Sequence, residues 1–349
     1  MPAQLALELE PIPFSHDQAP GERRVACVIL PELACELTRW AMTKPTLVPT
    51  AAAPRPLGVV LLDGVERKTT LAELNRRIEP GFRLSAVDVL ARRLGIHEGQ
   101  TIIEARCLHA ALEVCALPRS QIAETLSKIA ESLLDRASVV AVEAPDTIWL
   151  EIGPVMRNLG GEAKVAKEIV ERVRCLGHAV RLAVASGPRL AQLFARWSAA
   201  GHANGLLVPH ARSREMASSL PLAALPLNRD QLGWLGRLGL VKLSDLNRLP
   251  EGELVSRLGR DSARWVALGR GEDHEPLYAL QPERILRERL EWEEPVDGLD
   301  RLRFVFRRLT TNLEARLSAR GEAAERMSIT FQHDRAIARH RGVPFETQL

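Results

Sequence analysis

Asp146 sits in a Pro145-Asp146 pair between two apolar, β-branched runs, VVAVE and TIWLEI. That placement suits first of all a tight turn, and also a carboxylate offered to a metal ion. Hard divalent cations need several carboxylate oxygens in one place. Glu32 and Glu36 lie just beyond Pro31 and could turn inward, whereas strand alternation puts Glu143 and Glu151 on the face opposite Asp146. A second chemistry, phosphate binding, is written in LGRLGLVKLSDLNRLP, where Leu238, Gly239 and Leu240 form a hairpin between two short helical segments. Glycine permits close backbone approach, and the amides opening the next helix can face a phosphate, with Lys242 alongside. The same residues also suit a helical hairpin packed on a core. A third set is the run of Arg301, Arg303, Arg307, Arg308, Arg316 and Arg320. It reads either as a stripe giving salt-dependent, sequence-independent affinity for nucleic acid, with Arg303 and Arg307 central, or as a solvated helix ion-paired to the interleaved Glu293, Glu294, Asp297, Asp300 and Glu314.

The elements that must position these groups follow from hydrophobic period and breakers. Val25–Leu30 reads as a buried strand ended by Pro31, and LGVVLLDG (57–64) as another, with a Pro/Ala-rich passage between them. Residues 85–115 show a helical pattern broken at Gly95 and Gly99, and a long amphipathic helix is expected over 121–137. Two strands meet at Pro145-Asp146; then come a helix closed by Gly177, the strand AVRLAVAS, and a helix opened by Pro188. Beyond about Leu220 the texture is short glycine-punctuated helices without strands, and the last piece reads strand, helix, strand.

A chain of 349 residues suits two to four modules rather than one domain. Its 46% hydrophobic content can bury real cores, and no apolar run is long enough to span a bilayer. The N-terminal MPAQLALELEPIPF lacks the basic flank of a secretory signal, so a cytoplasmic location is expected. Cys27, Cys35, Cys107, Cys115 and Cys175 form no CxxC pair, which argues against a disulfide framework and a zinc site. Net charge is only +3, so any anionic partner must be met by a local patch.

The thumb-like segment carries a specific resemblance. LGRLGLVKLSDLNRLP, followed by SRLGRDSARWVALGRGEDHEPL, resembles the thumb of Y-family (translesion) DNA polymerases, with Arg257-Leu258-Gly259 and Gly269-Arg270-Gly271-Glu272-Asp273 matching its closing pattern. VACVILPELACE, VEAPDTIWLEI, NLGGEAKVAKEIVERV, RLAVASGPRLAQLFAR and LARRLGIHEGQTIIEAR resemble, in order, palm and fingers segments over about 24–330. The resemblance implies an α+β multidomain right hand: a leader at 1–23, palm at 24–52 and 136–220, small fingers with a connection at 53–135, a helical helix-hairpin-helix thumb at 221–281, and an incomplete little finger at 282–349. Only the first half of that last module is readable before Leu349, so a truncated or restructured end is expected.

Laid onto this chain, the acidic positions of the family fall on Ile29, Pro31, Asp146 and Thr147, and only Asp146 is still acidic. The aromatic that screens the sugar falls on Ala34, the fingers tyrosine on Val89 and the palm-helix lysine on Gln192, while Arg92 persists as a remnant of nucleotide binding. Two-metal phosphoryl transfer cannot rest on one carboxylate. DTIWLEI and NLGGE further resemble the non-catalytic ImuB-like subgroup. By that resemblance the chain is expected to be a DNA-binding adaptor in translesion synthesis, SOS mutagenesis and DNA repair, with no catalytic residue and no cofactor. Its partners would be primer-template or duplex DNA, the sliding clamp, a RecA-like accessory protein and a replicative-type polymerase. No clear clamp peptide is present; Gln4-Leu5-Ala6-Leu7 lacks the aromatic of one, and Gln348-Leu349 only begins one. The alternatives are an active Y-family polymerase that uses magnesium on carboxylates such as Glu32 with Asp146, an inactive remnant, and a helix-hairpin-helix nuclease.

Overall fold

Val25–Ile29 forms β1, five consecutive buried residues whose side chains alternate between two cores. The computed structural model describes residues 23–42, 55–65, 69, 71–198, 202–290, 299–333, 335–344 and 346–348. The expected leader before Arg23, the Gln4–Leu7 peptide, the Pro/Ala-rich passage at 43–54, residues 291–298 and Leu349 lie outside the described residues. After β1 the chain forms α1 (Leu33–Met42), β2 (Leu57–Leu62), α2 (Leu71–Arg76), β3 (Ala86–Val87), α3 (Val89–Arg93), α4 (Ile102–Leu108), β4 (Glu113–Pro118) and α5 (Arg119–Glu131). It continues through β5 (Val139–Glu143), β6 (Thr147–Glu151), α6 (Glu162–Cys175), β7 (Arg181–Ala185), α7 (Pro188–Trp197), β8 (Leu206–Leu207) and α8 (His210–Ser219). Then follow α9 (Arg229–Arg237), a 3-10 helix (Leu243–Arg248), α10 (Glu251–Leu258), α11 (Ser262–Gly269), α12 (Leu299–Arg320), β9 (Thr330–Gln332), α13 (Arg335–Arg341) and β10 (Glu346–Gln348).

The main sheet runs β5-β6-β1-β7-β8, antiparallel except for the last pair. Strand alternation gives it two apolar faces. Val25, Cys27 and Ile29 pack with Trp149, Ala183 and α7, and that core continues into α8–α11. Ala26 and Val28 pack with Ile148, Leu150, Val184, α1, α5 and α6 on the other side. This is the expected palm, with the helical thumb growing out of one face. Burying a leucine- or valine-sized side chain stabilises by roughly 1.5–3 kcal/mol, so the two faces fix β1 in register from both sides.

The smaller sheet, β3-β2-β4, has its own core of Val60, Leu84, Val87, Ala91, Ile96 and Ile102. Two expectations are corrected here. The helical stretch was expected to run to about residue 115, yet Glu113–Pro118 form β4, parallel to β2. The helix expected over 121–137 is α5 with a separate 3-10 turn at Leu134–Arg136, and its side chains belong to the palm core. The last module also differs. Residues 285–290 are irregular instead of a strand, and α12 is followed by the antiparallel pair β9–β10 with α13 between.

Between thumb and last module the chain runs extended and ties units together. Leu280 donates its amide to the Val140 carbonyl at 2.7 Å, on the edge strand of the main sheet. Asp273 caps α7, its carboxylate accepting from the Leu190 amide at 2.9 Å. Gly187 leaves the room for this, since a Cβ there would lie 2.5 Å from the Asp273 side chain.

Candidate functional site

Register lines up Glu143, Thr147, Ile29 and Arg181 across four strands at one end of the main sheet. The row faces α7, where Gln192 and Arg196 stand four residues apart and therefore share a helix face. Both reach Thr147. Gln192 Nε2 lies 3.4 Å and Arg196 Nη2 3.1 Å from its hydroxyl, which itself donates to Asp146 Oδ1 at 2.8 Å. Arg196 closes on Asp146 as a fork, Nη1 to Oδ2 at 2.9 Å and Nη2 to Oδ1 at 2.7 Å. The one carboxylate left at the family's acidic positions is thus committed to a guanidinium and a hydroxyl.

The other acidic positions offer no oxygens to a cation. Ile29 is 2% exposed inside the core, and Pro31 follows the strand end. Glu32 is held by Arg92, whose Nε and Nη2 also donate to the Val87 carbonyl at 3.1 and 2.8 Å. Burial pushes the Glu32 carboxyl up, and the attraction of Arg92 only partly offsets it. Glu36 turns away to His178 Nδ1 at 2.7 Å and to the Ala179 amide at 2.8 Å. Glu143 was expected on the face opposite Asp146, yet it shares the row of Thr147 and pairs with Arg189 of α7 at 3.0 Å. The expectation failed because Asp146 lies in the turn, outside the strand alternation. Among the described residues no group of three or more His, Cys, Asp or Glu could hold a metal ion. The divalent ions of a polymerase active site therefore do not fit the donors present.

These residues surround a cleft of about 380 Å³ between the main sheet and the smaller unit, lined by Ile29, Pro31, Val87, Arg92, His97, Glu98, Asp146, Arg181 and Arg196. Arg92 was read from the sequence as belonging here. Arg181, Arg196, His97 and Glu98 were not. The one available signal was the spacing of Arg196 from Gln192. Ala34, aligned with the sugar-screening aromatic, is buried in the core behind the sheet, and Val89 is 45% exposed at the start of α3.

The second site is the thumb hairpin. Asn228 and Gln231 cap α9 reciprocally, amide to side chain, at 3.0 and 2.8 Å. Leu235, Leu240, Leu243 and Leu246 are buried together, while Leu238 and Val241 stand 49% and 63% exposed beside Gly239. Gly239 has φ +71° with open space where a Cβ would be, so conformation and not crowding calls for glycine. The second helix of the motif is a 3-10 helix, and the two amides just before it are taken by a side chain. Val241 N and Lys242 N donate to Asp245 Oδ2 at 3.0 and 2.9 Å. Those two backbone bonds hold the Asp245 carboxyl below its ordinary range.

The arginine run divides by face. Arg303 and Arg307 are exposed on α12. Arg308 stacks on Trp40, 3.3 Å from the ring centroid, and Arg316 and Arg320 are consumed by Glu131. The expected stripe therefore keeps only part of its cations on the outside.

No family model matches the chain. In sequence it is similar to Protein ImuB of Caulobacter vibrioides, in strain NA1000 / CB15N and in strain ATCC 19089 / CIP 103742 / CB 15 alike. Identity is 25% over 238 residues, covering 68% of this chain and 51% of each relative. The chain thus spans about half the length of the curated relatives it matches. Among solved structures, DinB from Sulfolobus solfataricus superposes with a TM-score of 0.55 at 18% identity, covering 73% of this chain and 69% of that one. The insertion ternary complex of Dbh DNA polymerase gives 0.54 at 19% identity, with 73% and 69% covered. A Y-family DNA polymerase chimera, Dbh-Dpo4(243-245)-Dbh, gives 0.55 at 18%, with 74% and 70% covered. The chain accordingly carries the Y-family DNA polymerase fold with an ImuB-like sequence.

Proposed function

We propose that this chain is a non-catalytic, polymerase-like DNA-binding adaptor acting in translesion synthesis and DNA repair within SOS mutagenesis. The observation that carries the reading is the state of the acidic row: Ile29, Pro31 and Thr147 supply no carboxylate, and Asp146 is closed off by the Arg196 fork. Phosphoryl transfer on two metal ions has no donor set here. The parts that would hold DNA are retained. The hairpin tip presents Leu238, Gly239 and Lys242 outward, and Arg303 and Arg307 are exposed on α12. Fold likeness to polymerases solved in ternary complexes supports DNA as the partner, and likeness to ImuB supports the repair setting. By the same likeness we assign the sliding clamp, a RecA-like accessory protein and a replicative-type polymerase as the proteins it would bring together.

The test is primer extension with magnesium or manganese beside equilibrium binding to primer-template DNA. We expect no incorporation, and an affinity that falls by about 0.9 logarithmic units per tenfold rise in salt for each phosphate neutralised. Incorporation abolished by Asp146→Ala would establish the active-polymerase alternative and overturn the adaptor reading.

A further inference from the structure

We propose that Arg196 is a resident cation: its guanidinium takes the place of a metal ion on Asp146 and fastens the β5–β6 turn to α7, so that the palm keeps its shape without divalent ions. The inference rests on the adaptor reading and deepens it, because it names what replaces the metal. A guanidinium presents parallel N–H bonds that match both oxygens of one carboxylate. Arg196 uses them in that way, with Nη1 2.9 Å from Asp146 Oδ2 and Nη2 2.7 Å from Oδ1. A divalent ion seeking those oxygens meets a positive charge already seated on them. Burial works against the Arg196 charge, and its bonds to Asp146 outweigh that cost and hold the proton more firmly than usual.

The fork is one end of a closed polar belt. Thr147 is 1% exposed, and a hydroxyl offers one donor and two acceptor positions. All three are used: it donates to Asp146 Oδ1 at 2.8 Å and accepts from Arg196 Nη2 at 3.1 Å and from Gln192 Nε2 at 3.4 Å. Gln192 is oriented in turn, its Oε1 accepting from Arg189 Nη1 at 3.0 Å, and Arg189 pairs with Glu143 at 3.0 Å. Two carboxylates of the hairpin, Glu143 and Asp146, thus meet two guanidinium groups of α7, with Thr147 and Gln192 between them. Glutamate at position 147 would set a second negative charge on a guanidinium that already serves one carboxylate. The belt also reaches β1, because the Asp146 carbonyl accepts the Leu30 amide at 2.9 Å. The end of β1, the β5–β6 turn and α7 are therefore joined at one point, where removing the cation leaves a carboxylate 18% exposed and without its main partner.

Thermal melts of the full chain in EDTA and in manganese, at matched ionic strength, test this. The wild-type midpoint should be the same in both. Arg196→Met should melt several degrees lower, and Arg196→Lys, which keeps the charge and loses the fork, should fall between. Thr147→Glu combined with Arg196→Met sets two carboxylates together with no guanidinium on them. That variant should be the least stable in EDTA and recover several degrees in manganese, whereas Thr147→Glu with Arg196 kept should respond much less. A wild-type midpoint raised by manganese, an undiminished midpoint in Arg196→Met, or the same manganese response with and without Arg196 would overturn the proposal. Should the double variant fold in neither condition, the single changes decide: equal midpoints for Arg196→Lys and Arg196→Met would show that the charge is not what holds the turn. Duplex binding by the wild type reports on the adaptor reading separately, since a palm indifferent to manganese that binds no DNA would sink that reading and leave this one standing.

Discussion

Asp245 shows how one carboxylate changes what a motif can do. Its side chain takes the Val241 and Lys242 amides, so under the proposed DNA-binding role the hairpin is left with Gly239, the flanking apolar residues and the Lys242 side chain for contact. Asp245→Ala should free both amides and destabilise the thumb by about 1–2 kcal/mol. Hydrogen exchange at Val241 and Lys242 reads this directly; unchanged protection would show the cap to be unimportant. The pH dependence has a definite sign. The folded carboxyl is depressed by its backbone bonds, so the stabilisation is complete above the unfolded value of about 3.9 and is lost as pH falls through the lower, folded value. The difference between wild type and Asp245→Ala should therefore be full at pH 7 and shrink in acid. Asp146 is the residue-scale counterpart. Its identity was legible in the sequence, but its partner was not: Arg196 lies fifty residues downstream and meets it only because α7 packs across β1 and β7.

At the scale of elements, the sequence disclosed β1, the β5–β6 hairpin, α6, β7 and α7 because each has a strong period and a clear stop. It concealed β4. Glu113–Pro118 follows a helical pattern without a glycine or proline break, and a short apolar run does not tell strand from helix. What makes it a strand is parallel pairing with Leu57–Leu62, some fifty residues away. As an edge strand, β4 exposes an unpaired amide row, and Asn75 of α2 satisfies part of it, accepting from the Ala116 amide at 2.8 Å. Asn75→Ala should cost the smaller unit about 1–2 kcal/mol and speed exchange of the Ala116 amide, leaving palm amides protected. Gly187 governs a second junction. Gly187→Ala would drive a Cβ into Asp273, expelling the cap of α7, for about 1–3 kcal/mol in a urea melt. The same glycine change in an Asp273→Gly background should cost much less than in wild type, whereas strict additivity would rule out the clash.

For the whole molecule, the decisive joint is the seat of α12 on the palm, and it is polar. Arg316 is 1% exposed and contacts Glu131 at 2.9 Å, Glu283 at 3.0 Å and Glu288 at 2.8 Å, while Arg320 reaches Glu131 at 2.7 Å. The Glu283 amide also donates to Glu131 at 2.9 Å, so the extended connection is tied into the same knot. Burial works against the Glu131 charge, but these hydrogen bonds outweigh it and hold the carboxyl below its ordinary range. Docking supported by Glu131 is thus complete above its unfolded value of about 4.3 and fails as pH falls through the folded one. Removing one partner of a buried network leaves the others charged and unpaired, at a cost of roughly 3–5 kcal/mol. Arg316→Met should therefore release α12 to proteolysis and exchange at neutral pH while the main sheet stays protected. Because the pairs are shielded from solvent, moderate salt should not release α12 from the wild-type palm, even at salt that would weaken the proposed binding of DNA. Salt-induced release of α12, or full protection of α12 in Arg316→Met, would show that apolar contacts such as Val305 and Ala319 hold the seat instead.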